Sequence, residues 1–246
     1  GDKVLATGAG LGEIIDGGLS EYVYVPADIL TKIPSNLNLL STMQIGTAGF
    51  TAAIAIEKML LNKQNAKHGP IIISGATGGV GSISINILKN MGYKTIAVTR
   101  KTSSKNYLKS IGADEIIKYN SNFNEKILNK EMFAGGIDNV GGEVLDWIIK
   151  STSQNGNIVT IGMAMDSKLN TSVIPFILRG VNLLGVSSTN YPNNKRIYIW
   201  EKLSKIYKPT KLNIISSNII ELKNAIKFSK KIVSGKNIGR IIVKMY

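Results

Sequence analysis

The sequence predicts an α/β fold, in which a doubly wound parallel sheet is covered by helices on both faces. Runs of Ile and Val, such as "PIIIS", "YKTIAVT" and "GNIVTIG", alternate with amphipathic stretches through the middle of the chain. Strands that are apolar on both faces are typical of a buried parallel sheet, and the alternation with helices supplies the crossovers. A glycine-rich turn, "SGATGGVG", follows the first of these strands and leads into a helix.

The elements before the sheet have a different pattern. "KVLATG" is short and apolar and predicts a strand, and "LSEYVYVP" alternates apolar and polar residues up to Pro26, which predicts a second strand. From residue 41 to about residue 59 the apolar spacing becomes helical. We therefore expect a β-rich segment, then a long helix that leads into the sheet.

The central elements follow in a regular order of strand and helix. After "PIIIS" come the helix "GVGSISINILKNMG", the strand "YKTIAVT", the helix "SKNYLKSIG" and the strand "DEIIKY". The strand "GGIDNV", the helix "GEVLDWIIKST" and the strand "GNIVTIG" follow, then a turn or short helix "VIPFILRG" and the strand "VNLLGVSS". The last part predicts a helix over 194–207, a strand "LNIISSN", a helix "ELKNAIKFSKKIVSG" and a final strand "RIIVKM".

Composition excludes several kinds of site. The chain has no Cys and one His, His68, so disulfides, thiolate catalysis, zinc–thiolate sites and a Ser-His-Asp triad are excluded. The net charge is +14, but 26 Lys and 4 Arg are spread along the chain without a cluster, so a nucleic-acid partner is not expected. No run of about 18 uncharged apolar residues predicts a membrane span, and no secretory signal is visible.

The glycine turn predicts a dinucleotide site. Its glycines are Gly75, Gly78, Gly79 and Gly81, whereas an ordinary turn from strand to helix needs one glycine. Glycine is required where the backbone turns sharply and where a side chain would block a pyrophosphate, which the N–H groups of the helix start then bind. We assign Gly78, Gly79, Val80 and Gly81 to the pyrophosphate.

The end of the next strand predicts which dinucleotide binds. An NAD site of this type has Asp or Glu about 20 residues after the glycines, bonded to the ribose 2′-hydroxyl. Here the strand ends in Thr99, Arg100 and Lys101, a hydroxyl and two cations. A carboxylate would repel a 2′-phosphate and these groups attract it, so we expect the cofactor to be NADPH. The alternative is that Arg100 and Lys101 are solvated surface cations.

Other strand ends supply further candidates. Tyr119 ends the third strand of the sheet and would lie beside the adenosine, or it is a partly buried aromatic with no ligand. Gly141 and Gly162 follow strands that end at the same sheet edge, where ligands bind in such folds. They are candidates for close approach to the nicotinamide, or they serve the turns alone.

The chain as a whole resembles the medium-chain dehydrogenase/reductase superfamily, of the zinc-independent quinone oxidoreductase type. The resemblance covers essentially the whole chain, and within that group it is strongest to the acrylyl-CoA reductases. It lies in the blocks "GDKVLATG", "GGLSEYVYVPADILTKIP", "IGTAGFTA", "SGATGGVG", "YLKSIGADEII", "IDNVGG", "VIPFILRGVNLLGVSS" and "GKNIGRIIVKM".

The resemblance implies a Rossmann-type nucleotide-binding domain inserted in a GroES-like catalytic domain. It implies that residues 1–40 are a remnant of the catalytic domain, 41–190 form the NADP-binding domain and 191–246 return to the catalytic domain. It also implies an upstream part that is missing here, with a tyrosine near the nicotinamide in relatives. Zinc is not expected, because the cysteine positions of the zinc enzymes are empty, as at Thr47.

The resemblance adds further site residues. Thr51 would face the nicotinamide side, or its hydroxyl bonds to its own helix backbone. Arg240 would return to the phosphates with the closing strand, while no catalytic residue can be named. The nicotinamide would be flanked by Asn139, Val140, Gly141, Gly162, Val186 and Ser187.

The implied activity is hydride transfer from NADPH to the C=C bond of acryloyl-CoA, giving propionyl-CoA. A quinone or enal reductase is the first alternative, because its nucleotide motifs would be the same. A non-catalytic NADPH- or RNA-binding relative is the second. The resemblance further implies a homodimer, and we expect a cytoplasmic enzyme.

Overall fold

The chain begins with a small antiparallel pair of strands, β1 (Val4–Ala6) and β2 (Leu30–Lys32). The structure is a computed structural model, in which residues 1–120 and 126–245 are described. The strand predicted at "LSEYVYVP" is wrong, since residues 19–26 form no strand and Tyr22 and Tyr24 are 90% and 98% exposed. Alternation stabilises a strand when a hydrogen-bonded neighbour lies beside it, and no strand within residues 1–120 or 126–245 pairs with this segment.

A six-stranded parallel sheet forms the centre of the molecule and confirms the predicted fold class. The strand order β5-β4-β3-β6-β7-β8 reverses direction between β3 and β6, and ligands of doubly wound sheets bind at that point. The strands are β3 (Ile71–Ile73), β4 (Thr95–Thr99), β5 (Glu115–Lys118), β6 (Phe133–Asp138), β7 (Thr152–Thr160) and β8 (Asn182–Gly185).

Two apolar clusters explain why the strands are apolar throughout. Ile71 and Ile73 point into a large cluster on one face of the sheet, and Ile72 points into a second cluster on the other face. All three are fully buried, because successive side chains of a strand point to opposite faces. The helices that cover the sheet are α1 (Leu39–Leu61), α2 (Gly79–Asn90), α3 (Lys105–Ser110), α4 (Gly142–Ser151) and α5 (Ile174–Arg179).

Helix α1 confirms the helix predicted from residue 41. It begins at a capping box, in which the Asn38 side chain accepts from the Ser41 N–H and the Ser41 hydroxyl accepts from the Asn38 N–H. The helix is kinked at Gly46, where φ is 47°. By length and composition α1 could span a membrane, but 67% of its most apolar window is buried inside the molecule, as in a core helix.

The C-terminal part contains helices α6 (Asn193–Ser204), α7 (Leu212–Ile215) and α8 (Ala225–Val233), and strands β9 (Asn218–Glu221) and β10 (Ile241–Lys244). β9 and β10 pair in parallel as a separate two-stranded sheet. Helix α6 packs on α1 and on β2. The division of the chain into domains 1–40, 41–190 and 191–246 stays a prediction.

The strand predicted at "LNIISSN" is wrong in its first half, which forms helix α7. Asn86 Oδ1 accepts hydrogen bonds from the N–H groups of Thr210 and Lys211, 2.7 and 3.1 Å away, just before the helix begins. Leu212 and Ile215 are both buried, and residues three apart share a helix face. A capped start and one buried face therefore override the β-branched composition.

A buried carboxylate ties α6 to α1. Glu57 of α1 is 7% exposed and accepts hydrogen bonds from Tyr198, Lys202 and Tyr207, at 3.1, 2.7 and 2.5 Å. Burial alone would raise the pKa of Glu57, but these three donors outweigh it and hold the pKa below its usual value. The same carboxylate, with burial as the larger cause, raises the pKa of Tyr207.

We predict that Glu57→Gln destabilises the protein at pH 7 by about 1–3 kcal/mol, because an amide cannot satisfy three donors. The folded pKa is lowered, so the stabilisation by Glu57 is present above the unfolded pKa and is lost as the pH falls through the folded value. Urea unfolding should therefore show a difference from wild type that shrinks between pH 7 and pH 3. Glu201→Gln, which removes an exposed carboxylate of α6, is the control. A difference that does not change with pH would contradict this account.

Candidate functional site

A cavity lies at the carboxyl ends of β3, β4, β6 and β7, where the strand order reverses. Its volume is about 570 Å³, within the range of ligand sites. Its wall combines the glycine turn, the end of β4, the loops after β6 and β7, and the segment that leads into β10.

The glycine turn forms the floor of this cavity. An added Cβ at Gly81 would lie 2.6 Å from the Gly75 carbonyl oxygen and 2.8 Å from the Ala76 Cα, so α2 can start here with glycine alone. Gly75 has a φ of 57°, in the left-handed region that favours glycine. Gly78 is exposed, so nothing stands between its backbone and the cavity. The unpaired N–H groups of the first turn of α2 therefore face a space that an anion can enter.

Arg240 lies across this turn from the opposite side. Its side chain contacts Gly46 at the kink of α1 and passes Gly79, whose Cβ would lie 3.3 Å from the Arg240 Cδ. The guanidinium donates to the Met43 carbonyl at 3.2 Å, and its Nε–H is buried without a partner. Burial lowers the pKa of Arg240, and no described carboxylate pairs with it. A half-buried cation with an unpartnered donor beside a helix N-terminus is an arrangement for an anion.

The end of β4 carries two further cations. Arg100 is exposed at the rim, and the Lys101 ammonium donates to the Asn237 carbonyl of the segment before β10. Burial, and secondarily the charge of Arg100, lowers the pKa of Lys101. The Thr99 hydroxyl accepts from the Lys101 N–H at 3.0 Å and shapes the turn. No acidic residue lines the described cavity, so the electrostatic potential at the strand end favours a phosphate.

A buried network fixes the loop after β6. The fully buried Asp138 accepts from the Ser74 hydroxyl at 2.6 Å and from the Gly141 N–H at 2.8 Å. Ser74 in turn accepts from the Asn139 N–H, and its carbonyl accepts from the Asn139 amide. Burial raises the pKa of Asp138, although these donors act against it. The network holds Asn139 and Val140 against the cavity.

Tyr119 lines the cavity at its outer end. Its hydroxyl donates to Glu143 Oε2 at 3.1 Å, and its ring lies 6.3 Å from the Trp147 ring. Burial, followed by Glu143, raises the pKa of Tyr119 to about 12. The phenol is therefore protonated at neutral pH and offers an aromatic face to a ligand.

The structure brings most of the predicted site residues to this one cavity. The predicted residues that line it come from six separate parts of the chain. They are Gly78, Gly79, Val80, Gly81, Thr99, Arg100, Lys101, Tyr119, Asn139, Val140, Gly162 and Arg240.

Four predicted residues do not line the cavity. The Thr51 hydroxyl donates to the Thr47 carbonyl at 2.7 Å, which is the alternative that the sequence left open. Gly141 packs directly against the Asp166 carbonyl, so its glycine serves the turn. Val186 packs on the large apolar cluster and Ser187 is exposed.

The segment that leads into β10 was missed except for Arg240. Ile232, Gly235, Asn237 and Gly239 also line the cavity. Gly239 donates its N–H to the Thr77 carbonyl at 2.8 Å, which ties this segment to the glycine turn. Gly235 and Gly239 both have a φ of 67°, so the glycine spacing in "SGKNIG" was a signal of a tight loop.

Comparisons with known proteins agree with this geometry. Residues 79–205 match the family model described as zinc-binding dehydrogenase. The chain is 38% identical over 247 residues to the putative quinone oxidoreductase YhfP of Bacillus subtilis, covering 100% of this chain and 75% of the relative. It is 36% identical to the acrylyl-CoA reductase AcuI of Ruegeria pomeroyi, covering 99% and 74%. Despite the name of the family model, no group of three or more metal-ligating residues occurs in the described part of the chain.

Two solved structures are similar over the whole chain. The yhdH oxidoreductase from Salmonella enterica, in complex with NADP, has a TM-score of 0.96 and 36% identity over 100% of this chain and 76% of its own. The yhfP protein of Bacillus subtilis with NAD bound has a TM-score of 0.96 and 38% identity, covering 100% and 75%. Sequence, fold and site geometry together place the chain in the medium-chain dehydrogenase/reductase superfamily, among the zinc-independent oxidoreductases that resemble quinone oxidoreductase.

Proposed function

We propose that this oxidoreductase uses NADPH to reduce the C=C bond of acryloyl-CoA. The observation that carries the cofactor assignment is a set of cations around one cavity that have no ion-pair partner among the described residues. It includes a half-buried Arg240 with an unpartnered Nε–H, and the end of β4 has no carboxylate. The relatives named acrylyl-CoA reductase support the substrate class.

The residues present fit NADPH in both halves of the cavity. The start of α2, where the pyrophosphate would bind, has glycines at positions where a side chain would collide with neighbouring atoms. Arg100 and Lys101 stand where an NAD enzyme has an acid, and they would hold the 2′-phosphate. A relative of the same fold has been solved with NAD bound, so the fold admits NAD as well. The proposed preference of this chain for NADPH therefore rests on the residues at the end of β4.

We assign the remaining residues by their place in the cavity. Arg240 and the first turn of α2 would hold the pyrophosphate, and Tyr119 would face the adenosine. Asn139, Val140 and Gly162 would flank the nicotinamide, because they follow β6 and β7 next to the reversal of strand order. The assignment of Thr51, Gly141, Val186 and Ser187 to the nicotinamide side stays a prediction, since none of the four lines the cavity.

The chemistry requires a hydride and a proton. Bound NADPH would supply the hydride to the β-carbon of the alkene, and a proton is then added at the α-carbon. The part of this chain is to orient the reacting groups and to keep water out. The buried network of Ser74 and Asp138 would do so by fixing the Asn139 and Val140 backbone, at no cost of reorganisation during the reaction.

Reduction of a quinone or an enal is the second candidate. The relative YhfP is named a putative quinone oxidoreductase, and its identity of 38% is similar to that of the acrylyl-CoA reductases. Both activities would use the same cofactor cavity, so the residues named above do not separate them.

We further propose a homodimer formed at the outer edge of the sheet. Strand β8 has no neighbour on its outer side among the described strands. Three apolar side chains beside it, Val173, Ile177 and Leu178, are 66%, 73% and 65% exposed. An exposed edge with apolar residues beside it favours pairing with a second copy. The cytoplasmic localisation also stays a prediction.

We predict that Arg100→Gln weakens NADPH binding about tenfold and changes NADH binding less than about twofold. The reason is that Arg100 would contact the 2′-phosphate and no other part of the cofactor. Fluorescence titration of both cofactors measures the two dissociation constants. Lys94→Gln, an exposed cation at the other end of β4, is the control. Equal losses for NADPH and NADH would show that Arg100 does not read the 2′-phosphate.

The reaction itself is tested by following NADPH and NADH oxidation with acryloyl-CoA, with a quinone as the second acceptor. We expect rapid loss of NADPH with acryloyl-CoA, and slow loss with NADH or with the quinone. A faster quinone reaction would transfer the assignment to the second candidate. Binding of NADPH without turnover of either acceptor would leave the non-catalytic relative, whose RNA binding would weaken steeply with salt.

A further inference from the structure

A second cavity lies beside the loop that follows β8. Its volume is about 260 Å³, and its wall is polar and apolar in about equal parts. It is built from the loop Thr189–Tyr191, the start of α6 and the exposed Asp28 before β2. Among the lining residues, Asn190, Asn193 and Arg196 are not used by the site described above.

Arg196 is an almost completely buried cation in this wall, with 3% of its surface exposed. Its Nη1 donates to the Thr7 hydroxyl at 2.9 Å, and its Nη2 donates to the Ser188, Thr189 and Tyr191 carbonyls, each at 3.3 Å. All these partners are neutral, and no described carboxylate forms an ion pair with Arg196. Burial lowers the pKa of Arg196.

The helix makes this cation harder to accommodate. Arg196 lies at the start of α6, near the positive end of the helix dipole, where a cation is destabilised and an anion is stabilised. Arg179 shows the usual arrangement, since it pairs with Glu131. A buried guanidinium at a helix N-terminus, beside a cavity and without a counter-ion, therefore points to an anionic ligand.

The second cavity lies on the β8 side of the sheet edge at which the cofactor cavity opens. The N–H of Val186, just after β8, donates to the carbonyl of Thr160 at the end of β7, and Gly162 lines the cofactor cavity two residues later. Neighbouring strands lie about 4.8 Å apart, so the two cavities follow each other along the same edge of the sheet. A ligand that extends from the nicotinamide end of the cofactor cavity toward β8 would run in the direction of Arg196.

We propose that the cavity beside Arg196 binds the phosphate-bearing carrier arm of the acyl thioester. Arg196 would supply the charge, and Asn190 and Asn193 would supply amide hydrogen bonds to the arm. Asp28, an exposed carboxylate at the rim, disfavours a bare dianion and favours a ligand with hydrogen-bond donors beside its phosphate, as a pantetheine arm has. This inference rests on the proposed function, because it assumes that the substrate carries such an arm.

A purely structural role for Arg196 makes different predictions. The four hydrogen bonds described above clamp the loop after β8 to Thr7, and Phe50 covers the guanidinium at 4.8 Å. If the clamp were its sole role, removing Arg196 would impair every substrate equally. Asn190 separates the two roles, because it is exposed, lines the cavity and takes no part in the clamp.

The test is binding of coenzyme A to the protein saturated with NADPH, which fills the other anion site. Isothermal titration would compare wild type, Arg196→Gln, Arg196→Lys and Asn190→Asp. We expect coenzyme A to bind about tenfold more weakly to Arg196→Gln and Asn190→Asp, and Arg196→Lys to be intermediate, with the NADPH dissociation constant unchanged. Lys205→Gln, at the other end of α6, is the control and should bind like wild type.

Steady-state kinetics supplies the second readout. Arg196→Gln should raise the KM for acryloyl-CoA about tenfold and leave kcat and the KM for acryloyl-N-acetylcysteamine, which has no phosphate, unchanged. If Asn190→Asp and Arg196→Gln both bind coenzyme A as tightly as wild type, the proposal is overturned. Equal losses with both thioesters would overturn it in favour of the clamp. Coenzyme A binding that depends on Arg196, without turnover of acryloyl-CoA, would support the subsite and remove the proposed reaction.

Discussion

The close approach of Gly81 to the Gly75 carbonyl is the constraint on which the rest of the site depends. A side chain at residue 81 would collide with backbone atoms, so glycine alone lets α2 begin directly above β3. That start points the first turn of α2 into the cavity, and it packs α2 on α1. The position of Gly79 then leaves a groove that the Arg240 side chain fills. One backbone contact thus determines the phosphate end of the cavity and the path of the last strand.

The cavity is closed by residues that lie far apart in the chain. Gly239 bonds to Thr77 of the glycine turn, and Lys101 bonds to Asn237, so the last segment is attached to two points of the nucleotide-binding half. These bonds join the sheet to the part of the chain that belongs to the second sheet, β9 and β10. The cofactor cavity is therefore formed by both parts, and the sheet alone would leave it open on the side of residues 232–241.

The sequence predicted the sheet, the glycine turn and the strand ends well, because each depends on local pattern. A continuous run of Ile and Val indicates a strand that is buried on both faces. Several glycines directly after such a strand indicate a tight turn or a close approach of the backbone to a ligand. It failed at Tyr22 and Tyr24, whose alternation needs a neighbouring strand, and at residues 212–215, where the Asn86 side chain caps a helix from a distance of more than 120 residues. The Asn237 side of the cavity was missed for the same reason, since tertiary contacts and not local pattern bring it there.

The positions of the Arg and Lys residues indicate where this protein binds anions. The chain has 26 Lys and 4 Arg, so its positive charge is supplied almost wholly by Lys. Arg179 pairs with Glu131, and Arg100 stands at the end of β4. Arg240 is half-buried and Arg196 is buried, and neither has a described carboxylate partner. Most basic residues of this chain are Lys, so the few arginines stand where the planar guanidinium, with several N–H donors in fixed directions, offers what Lys lacks. Arg240 and Arg196 line two cavities at one edge of the sheet, which is the arrangement that a cofactor and a substrate, each carrying phosphates, would require.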